Sequence, residues 1–244
     1  MSDPFLVRPF LHPGPVLTPN DVHLWLVQNN EQIISWVDFE PLLSSVELDR
    51  AARFKFETDR QRYILAHAAL RSILSTYVKR PAGELEFESG PSGKPKLAAI
   101  YSKKKITFNL SHSHEVTLIG VAKTQEIGVD VEWMRKDFAF GEVAERFFTR
   151  REVALLHSLP EDVQREAFYK CWTSKEAFLK AKGTGLSGDL DEVEINFSPD
   201  AGVRVSGTIP NWTLVELKPC DGYVGALVVQ RSECQLKCFR WHSP

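Results

Sequence analysis

Hydrophobic and polar residues follow two periods along this chain, and each period predicts one kind of secondary structure. Apolar residues at every second position are typical of half-buried strands. Such runs cover 21–27, 106–110, 116–122 and 127–133, and further strands are expected near 191–197, 203–208, 212–218 and 223–230. Apolar residues at three- and four-residue spacing are typical of helices. These stretches cover 39–56, 60–79, 141–157 and 161–182.

The order of helix and hairpin in the first half recurs faintly in the second half. Tyr63 lies in a predicted helix 106 residues before Tyr169, and the strand end at Leu110 lies 107 residues before Leu217. Sequence identity between the two stretches is slight. The recurrence is therefore a hint of two similar halves, each a helix packed on antiparallel strands.

Composition narrows the classes of protein that the chain can represent. With 244 residues, of which 43% are hydrophobic and 25% charged, it fits one large globular domain or two smaller ones. The net charge of −2 gives no indication of a nucleic-acid or membrane partner. Four cysteines are too few for a disulfide framework, and no apolar run approaches about 18 residues. We therefore expect a protein of the reducing cytoplasm.

Two carboxylates stand two residues apart in the predicted strand over 127–133. Asp130 and Glu132 should point the same way, roughly 6.6 Å apart. At an effective dielectric constant near 20, two charges at that distance repel by about 2.5 kcal/mol, and a cation would turn this repulsion into binding. The helix over 161–182 can add a third carboxylate, Glu176, and an ammonium, Lys180. Magnesium takes one or two carboxylates and completes its shell with water and phosphate oxygens, so a phosphorylated substrate is implied.

The same residues also fit an ordinary protein surface. Val129 and Val131 would form the apolar face of the strand. Asp130 and Glu132 would then lie on the solvated face. Glu176 and Lys180 would then be an i,i+4 pair worth about 0.3–0.5 kcal/mol. Each fragment alone is typical of such a surface. Their combination with two segments earlier in the chain favours a site for a metal and a phosphate.

The first of these segments is the turn at 90–95, with the sequence GPSGKP, which lies between two predicted strands. It presents Lys94 on a stiff backbone, and Gly93 permits the close approach of a ligand. The turn is not a Walker A loop, because Glu88 and Pro95 occupy positions where that pattern needs glycine and a hydroxyl residue. An ordinary hairpin turn would have a similar composition.

The second segment is 108–113, with the sequence FNLSHS, which ends a predicted strand and opens a polar turn over 111–115. Ser111 and His112 offer a hydroxyl, backbone N–H groups and an imidazole, which together suit an oxyanion. A nucleophilic serine is not indicated, since the flanking glycines of a nucleophile elbow are absent. The alternative is a turn that happens to contain histidine.

In combination, the segments GPSGKP, FNLSHS, IGVDVE and FYKCWTSKEAFLKAKGTGL resemble the Sfp-type 4′-phosphopantetheinyl transferases. The match runs from about residue 50 to residue 186, and the four motifs are jointly far more specific than any one of them. The resemblance implies an α+β fold of two pseudo-symmetric halves, 1–124 and 125–244, each with helices packed on a small antiparallel sheet. It also implies that coenzyme A binds in the cleft between the halves and that the chain is a monomer.

The resemblance further implies a reaction. The phosphopantetheine arm of coenzyme A would pass to a serine of an apo acyl or peptidyl carrier protein, with magnesium required and 3′,5′-ADP released. By motif, Asp130, Glu132 and Glu176 match the metal ligands. Glu176 also matches the base for the incoming serine, directly or through water, and Lys180 matches the residue that stabilises the departing bisphosphate.

Five positions match coenzyme contacts of that family: Arg50, Arg62, Lys94, Ser111 and His112. The two arginines correspond to the basic segment near the 3′-phosphate, and the other three correspond to contacts with the phosphates. Glu47 departs from the pattern, because some members have a lysine there. This departure makes the 3′-phosphate contacts the least secure part of the comparison.

Two other functions use similar residues. A magnesium-dependent phosphodiesterase or nuclease needs the same carboxylates and lysine, but it does not predict GPSGKP or FNLSHS. A scaffold that binds carriers without catalysis is not suggested, because the full set of ligands and Lys180 are present. For the carrier itself, 147–155 offers aromatic residues beside Arg150 and Arg151, either as an exposed docking surface or as a buried helix start with ordinary surface arginines.

Overall fold

The computed structural model describes residues 6–7, 14–28, 36–90, 92–185, 194–198, 204–207, 211–231 and 233–242. The chain divides into two compact units. Unit 1 comprises Met1–Glu88, Pro95–Thr124 and Gln235–Pro244, and unit 2 comprises Ser89–Lys94 and Gln125–Cys234. One boundary between the units lies between Thr124 and Gln125, the 89–94 turn lies with the second unit, and the segment from Gln235 lies with the first.

The strands follow one another along the chain as β1 (Leu6–Val7), β2 (Asp21–Gln28), β3 (Phe87–Ser89), β4 (Pro95–Leu97), β5 (Ile106–Ser113), β6 (Val116–Lys123), β7 (Ile127–Trp133), β8 (Ile195–Ser198), β9 (Arg204–Gly207), β10 (Thr213–Leu217), β11 (Tyr223–Val229) and β12 (Gln235–Arg240). The α-helices are α1 (Ser45–Ala51), α2 (Glu57–Val78), α3 (Gly141–Phe147), α4 (Arg150–Ser158) and α5 (Glu161–Lys182). Short 3₁₀ helices cover Trp36–Leu42, Ala82–Glu84 and Ala99–Lys104. Within the described chain, no helix combines the length and apolar character that a membrane crossing needs.

Unit 1 packs α2 on a five-stranded sheet of order β1-β12-β2-β6-β5. Strands β2, β6 and β5 are antiparallel, as predicted, whereas β12 runs parallel to both β1 and β2. Fully buried Ile64 and Ile73 of α2 meet Phe108 and Ile119 of the sheet in one apolar core. The sequence did not predict β12, because its short run of mixed residues gains its hydrogen bonds from a strand more than 200 residues earlier in the chain.

Unit 2 packs α5 on the antiparallel sheet β10-β11-β7, and β8 pairs with β9 beside it. Both α2 and α5 have 22 residues. Each unit therefore places one long helix on antiparallel strands, and the expected α+β fold of two similar halves is confirmed. The end of α5 also agrees with the sequence, because Gly183 takes the left-handed conformation, with φ 71°, directly after Lys182.

Two predicted helices are interrupted in the structure. The stretch 39–56 is a 3₁₀ helix with Pro41 inside it, followed by the separate helix α1. The stretch 141–157 is divided into α3 and α4. Ser44 and Thr149 cause the breaks, because each caps a new helix and forms a capping box with the glutamate three residues later. The spacing of apolar residues alone does not show that a new helix begins at such a position.

A buried ion pair links α1 to α2 in unit 1. Arg71 is only 1% exposed, and its guanidinium donates to Glu47 Oε2 from Nε at 2.8 Å. The same guanidinium donates to the backbone carbonyls of Ala82 and Leu85 at 3.0 and 2.9 Å. Glu47 therefore has a structural partner here, which accounts for a carboxylate at this position.

Glu47 also ends the first turn of α1. Its carboxylate accepts from the backbone N–H and the hydroxyl of Ser44 and contacts His67 Nδ1 at 3.1 Å. Burial alone would raise the pKa of Glu47, but the hydrogen bonds with His67, Arg71 and Ser44 outweigh it and lower the pKa from 4.5 to about 2. The ionised carboxylate therefore stabilises the fold above pH 4.5, and this stabilisation is lost as the pH falls toward 2.

We predict that Glu47→Gln lowers the free energy of unfolding at pH 7 by on the order of 3 kcal/mol. The difference from the wild type should shrink as the pH falls from 4.5 toward 2, because the wild-type carboxylate then becomes protonated. Urea unfolding of both proteins at pH 7 and pH 3 measures this. Glu142→Gln, on the exposed side of α3, is the control; a deficit for Glu47→Gln that is equal at both pH values would contradict the assignment.

Candidate active site

Helix α5 comes unusually close to strand β7 at Gly128. A Cβ atom built on Gly128 would lie 1.9 Å from the carbonyl oxygen of Ala177 and 2.4 Å from the amide nitrogen of Ala181. The backbones of helix and strand are thus in direct contact, with only small residues between them. Gly128 was not among the predicted site residues, although a glycine inside a strand pattern is a signal for such close approach.

Residues 128, 130 and 132 point to the same side of β7, because side chains alternate along a strand. Gly128 shows that this side faces α5, so Asp130 and Glu132 also point toward the helix. Asp130 is only 3% exposed, whereas Glu132 is half-buried. The interpretation of Asp130 as part of a solvated surface is therefore wrong, because the helix covers it.

The last two turns of α5 place two charged groups beside Asp130. Lys180 Nζ donates to Asp130 Oδ1 at 2.6 Å, with the lysine side chain 30% exposed. Glu176, one turn earlier, has a buried Oε1 that accepts no hydrogen bond from any described residue. Burial raises the pKa of Glu176, the charge of Asp130 raises it further, and Lys180 partly opposes both. Asp130, Glu176 and Lys180 therefore form one electrostatic group.

Glu132 lies close enough to Tyr169 of α5 for its charge to raise the pKa of that hydroxyl, to which burial contributes more. The Tyr169 hydroxyl in turn accepts from the backbone N–H of Arg135 at 3.3 Å. Across the described ranges, no three histidine, cysteine, aspartate or glutamate side chains are grouped closely enough to hold an ion together.

The pair Asp130 and Glu176 nevertheless suits a magnesium ion. Its ligands are hard oxygens, and one or two carboxylates suffice when substrate phosphate supplies other positions. The buried Glu176 Oε1 accepts no hydrogen bond among the described residues, so it can bind a cation without breaking one. Glu132, on the same side of β7, is the next carboxylate along the strand that could join them as a ligand.

Lys94 reaches the same unit from the 89–94 turn. Its ammonium lies 3.0 Å from the carbonyl oxygen of Ile127 and 3.4 Å from that of Ala181, and it pairs with Glu126 at 3.3 Å. Burial lowers the pKa of Lys94, and Glu126 partly offsets this. The lysine therefore connects the start of β7 with the last turn of α5, where a cation is favoured by the helix dipole.

Ser111 and His112 lie in unit 1, within strand β5. The predicted turn over 111–115 is wrong, because β5 continues to Ser113 and only two residues, His114 and Glu115, connect it to β6. His114 adopts a positive φ of 50°, as a tight hairpin turn requires. Consecutive strand residues point to opposite faces, and Ser111 is 6% exposed while His112 is exposed.

The two arginines expected at the 3′-phosphate also lie in unit 1. The guanidinium of Arg62 pairs with Glu115 at the hairpin end and lies 3.4 Å from Asp59. Arg50 is exposed, and its guanidinium carbon lies 5.6 Å from the centre of the Tyr63 ring. Arg62 therefore already has carboxylate partners, whereas the Arg50 guanidinium is accessible to solvent.

The aromatic residues of 147–155 pack inside unit 2. Phe148 is 6% exposed and stacks on Phe168, with ring centres 5.4 Å apart. Phe147 meets Trp172 edge to face at 5.5 Å. Of the two interpretations of this stretch, the structure favours a buried helix start.

Comparison with known proteins identifies the family. A family model described as "4'-phosphopantetheinyl transferase, N-terminal" matches residues 30–124, and one described as "4'-phosphopantetheinyl transferase superfamily" matches residues 126–228. The chain is 38% identical to the 4′-phosphopantetheinyl transferase HetI of Nostoc sp. (strain PCC 7120) over 94% of this chain and 95% of the relative. It is 30% identical to the 4′-phosphopantetheinyl transferase Sfp of Bacillus subtilis, over 73% and 74% of the two chains.

We predict that Gly128→Ala destabilises the protein strongly, because the added methyl group overlaps the backbone of α5. Overpacking typically costs about 1–3 kcal/mol, and backbone overlap should reach or exceed that range. Gly141→Ala is the matched control, since nothing lies within 4 Å of the Cβ position there. Thermal unfolding should show a lower midpoint only for Gly128→Ala, and equal midpoints would contradict the close approach.

Proposed function

The chain belongs to the 4′-phosphopantetheinyl transferase superfamily, and from that premise we propose that it transfers the phosphopantetheine arm of coenzyme A to a serine of an apo acyl or peptidyl carrier protein, releasing 3′,5′-ADP. The observation that carries the proposal in the structure is the grouping of Asp130, Glu176 and Lys180 where α5 contacts β7. These charges come from two of the motifs of the family resemblance. Their arrangement suits a reaction at a diphosphate.

Glu176 is the proposed base. Its carboxylate has two oxygens, so one can bind the ion while the other accepts the proton of the serine hydroxyl, directly or through a water molecule. The pKa of Glu176 is raised, chiefly by burial. Proton transfer to a positioned carboxylate typically contributes about 10²–10⁴-fold.

Lys180 is the proposed cation for the leaving group. Its ammonium is held 2.6 Å from Asp130, yet 30% of the side chain remains exposed. The lysine is therefore fixed by a buried anion while part of it can face a ligand. Charge that develops on the departing bisphosphate would be stabilised by this prearranged ammonium without a large movement of the protein.

Magnesium is the proposed metal, with carboxylate oxygens of Asp130, Glu132 and Glu176 as its protein ligands. The position of Asp130 beside Glu176 supports two of these ligands, and the shared side of β7 supports Glu132. When bound, the ion would supply positive charge to the phosphate oxygens. The protein's own contribution is then mainly to position the reactants.

Coenzyme A is proposed to contact Arg50, Arg62, Lys94, Ser111 and His112. Exposure of the Arg50 and His112 side chains supports their part in this set. The position of Lys94 supports its part as well. Its ammonium lies 3.4 Å from the carbonyl oxygen of Ala181, which is the residue after Lys180. Ser111 is included because of the sequence motif alone. We further propose that the protein acts as a cytoplasmic monomer, without nucleic-acid or membrane partners.

Incubation with coenzyme A, magnesium and a panel of apo carrier proteins tests the function. We expect at least one carrier to gain the mass of a phosphopantetheine arm, because the family reaction transfers that group. Intact-protein mass spectrometry measures the gain. A carrier whose modifiable serine is replaced by alanine is the control. Failure to modify any carrier of the acyl or peptidyl type would contradict the proposal.

We predict that Glu176→Gln lowers turnover at least 100-fold, because an amide cannot accept the serine proton and is a weaker metal ligand. Glu166→Gln is the matched control, since Glu166 lies on the same helix in a surface pair with Lys170 at 2.9 Å. Initial rates of carrier modification measure both variants, with thermal unfolding to establish that they are folded. Wild-type turnover in folded Glu176→Gln would remove Glu176 from the site.

A further inference from the structure

Lys175 interrupts the apolar stripe of α5 and lies next to Glu176 in the chain. Its side chain is 1% exposed, and its ammonium lies 2.9 Å from Glu152 Oε2, in a residue that is fully buried. Both charges are thus removed from water. A pair of this kind gains little net stability over two apolar residues of the same volume, since desolvation opposes the attraction.

Glu152 connects three elements of unit 2. Its Oε2 accepts from the backbone N–H of Thr149, which caps α4, and also contacts Lys175 of α5. Its Oε1 accepts from the backbone N–H of Ile195 at 2.7 Å, at the start of β8. A single carboxylate therefore fixes the flank of α5 relative to α4 and β8.

The contact at Gly128 and the pair at Lys175 constrain α5 in different ways. Close backbone contact at Gly128 sets the distance between α5 and β7. Contacts between small residues still permit a helix to turn about its axis. Side-chain ends lie roughly 6 Å from a helix axis, so a turn of about 20° would move the Glu176 carboxylate by about 2 Å. Displacements of about 1 Å can cost 10²-fold in rate.

We infer that Lys175 and Glu152 form a positioning pair, which fixes the rotation of α5 so that Glu176 and Lys180 face Asp130. Neither residue touches the substrate in this role. The directional hydrogen bonds of the pair add to the apolar packing of α5 and favour one rotation of the helix. The inference deepens the proposed function and rests on it for the kinetic part of its test.

The double variant Lys175→Met/Glu152→Gln removes both charges, so no uncompensated charge is buried, and the amide oxygen retains one backbone hydrogen bond. We expect it to remain folded, with kcat at least ten-fold lower and KM for coenzyme A within two-fold of the wild type. Steady-state transfer to an apo carrier, normalised to the folded fraction, measures this split. Lys175→Met alone, in which the Glu152 carboxylate keeps its two backbone N–H donors, is the second variant if the double variant does not fold, and the same loss of kcat is expected.

Tyr77→Phe is the control variant: it should lower the stability of the protein without changing the rotation of α5. Tyr77 lies in unit 1, where its hydroxyl accepts from Trp25 Nε1 and contacts His23 Nδ1. This variant should unfold at a lower temperature but keep its kcat per folded molecule within two-fold. If the double variant loses activity only in proportion to its folded fraction, the pair is structural and the inference is overturned.

A crystal structure of the double variant provides a result independent of activity. We expect the 2.6 Å contact between Lys180 Nζ and Asp130 Oδ1 to lengthen by more than about 1 Å as α5 turns. An unchanged contact overturns the inference even where no transfer is measured. Inactive wild-type protein with a displaced contact in the variant would instead reject the proposed function and support the positioning pair.

Discussion

The contact between helix α5 and strand β7 at Gly128 is the constraint on which the rest of the site depends. Because no side chain separates the two backbones there, α5 lies close enough to cover Asp130 and to bring Glu176 and Lys180 beside it. The covering explains why a carboxylate on an edge strand is buried, and Lys180 supplies an ammonium beside it. The close approach of the two backbones at Gly128 thus determines which charged groups lie next to Asp130.

Three lysines around the end of α5 show how burial assigns different roles to one residue type. Lys175 is fully enclosed and paired with Glu152, so it can act only within the protein. Lys180 is held by Asp130 but keeps part of its side chain exposed. Lys94 contacts carbonyl oxygens at the helix end. Only a partly exposed cation can meet a substrate, which is why the proposed mechanism uses Lys180 and Lys94 but not Lys175.

Several elements could be predicted from the sequence because their signals are local. Helix α5 follows an apolar period from residue 161 to a glycine at 183, interrupted at Lys175, and its bounds agree with the structure. The bounds of the helices near 39–56 and 141–157 could not be predicted in this way, since Ser44 and Thr149 each begin a new helix through a capping box. Strand β12 was missed because its partners lie at the other end of the chain.

The amino-acid sequence is enough to predict the family, the order of the four motifs and the residue types available for a metal and a phosphate, because each motif is a short run of neighbouring residues. The burial of Asp130, its pairing with Lys180 and the place of Phe148 in the core follow from the tertiary structure alone. Asp130 and Lys180 are 50 residues apart in the chain. Their contact depends on how closely a helix can approach a strand, and packing sets that distance rather than any local pattern.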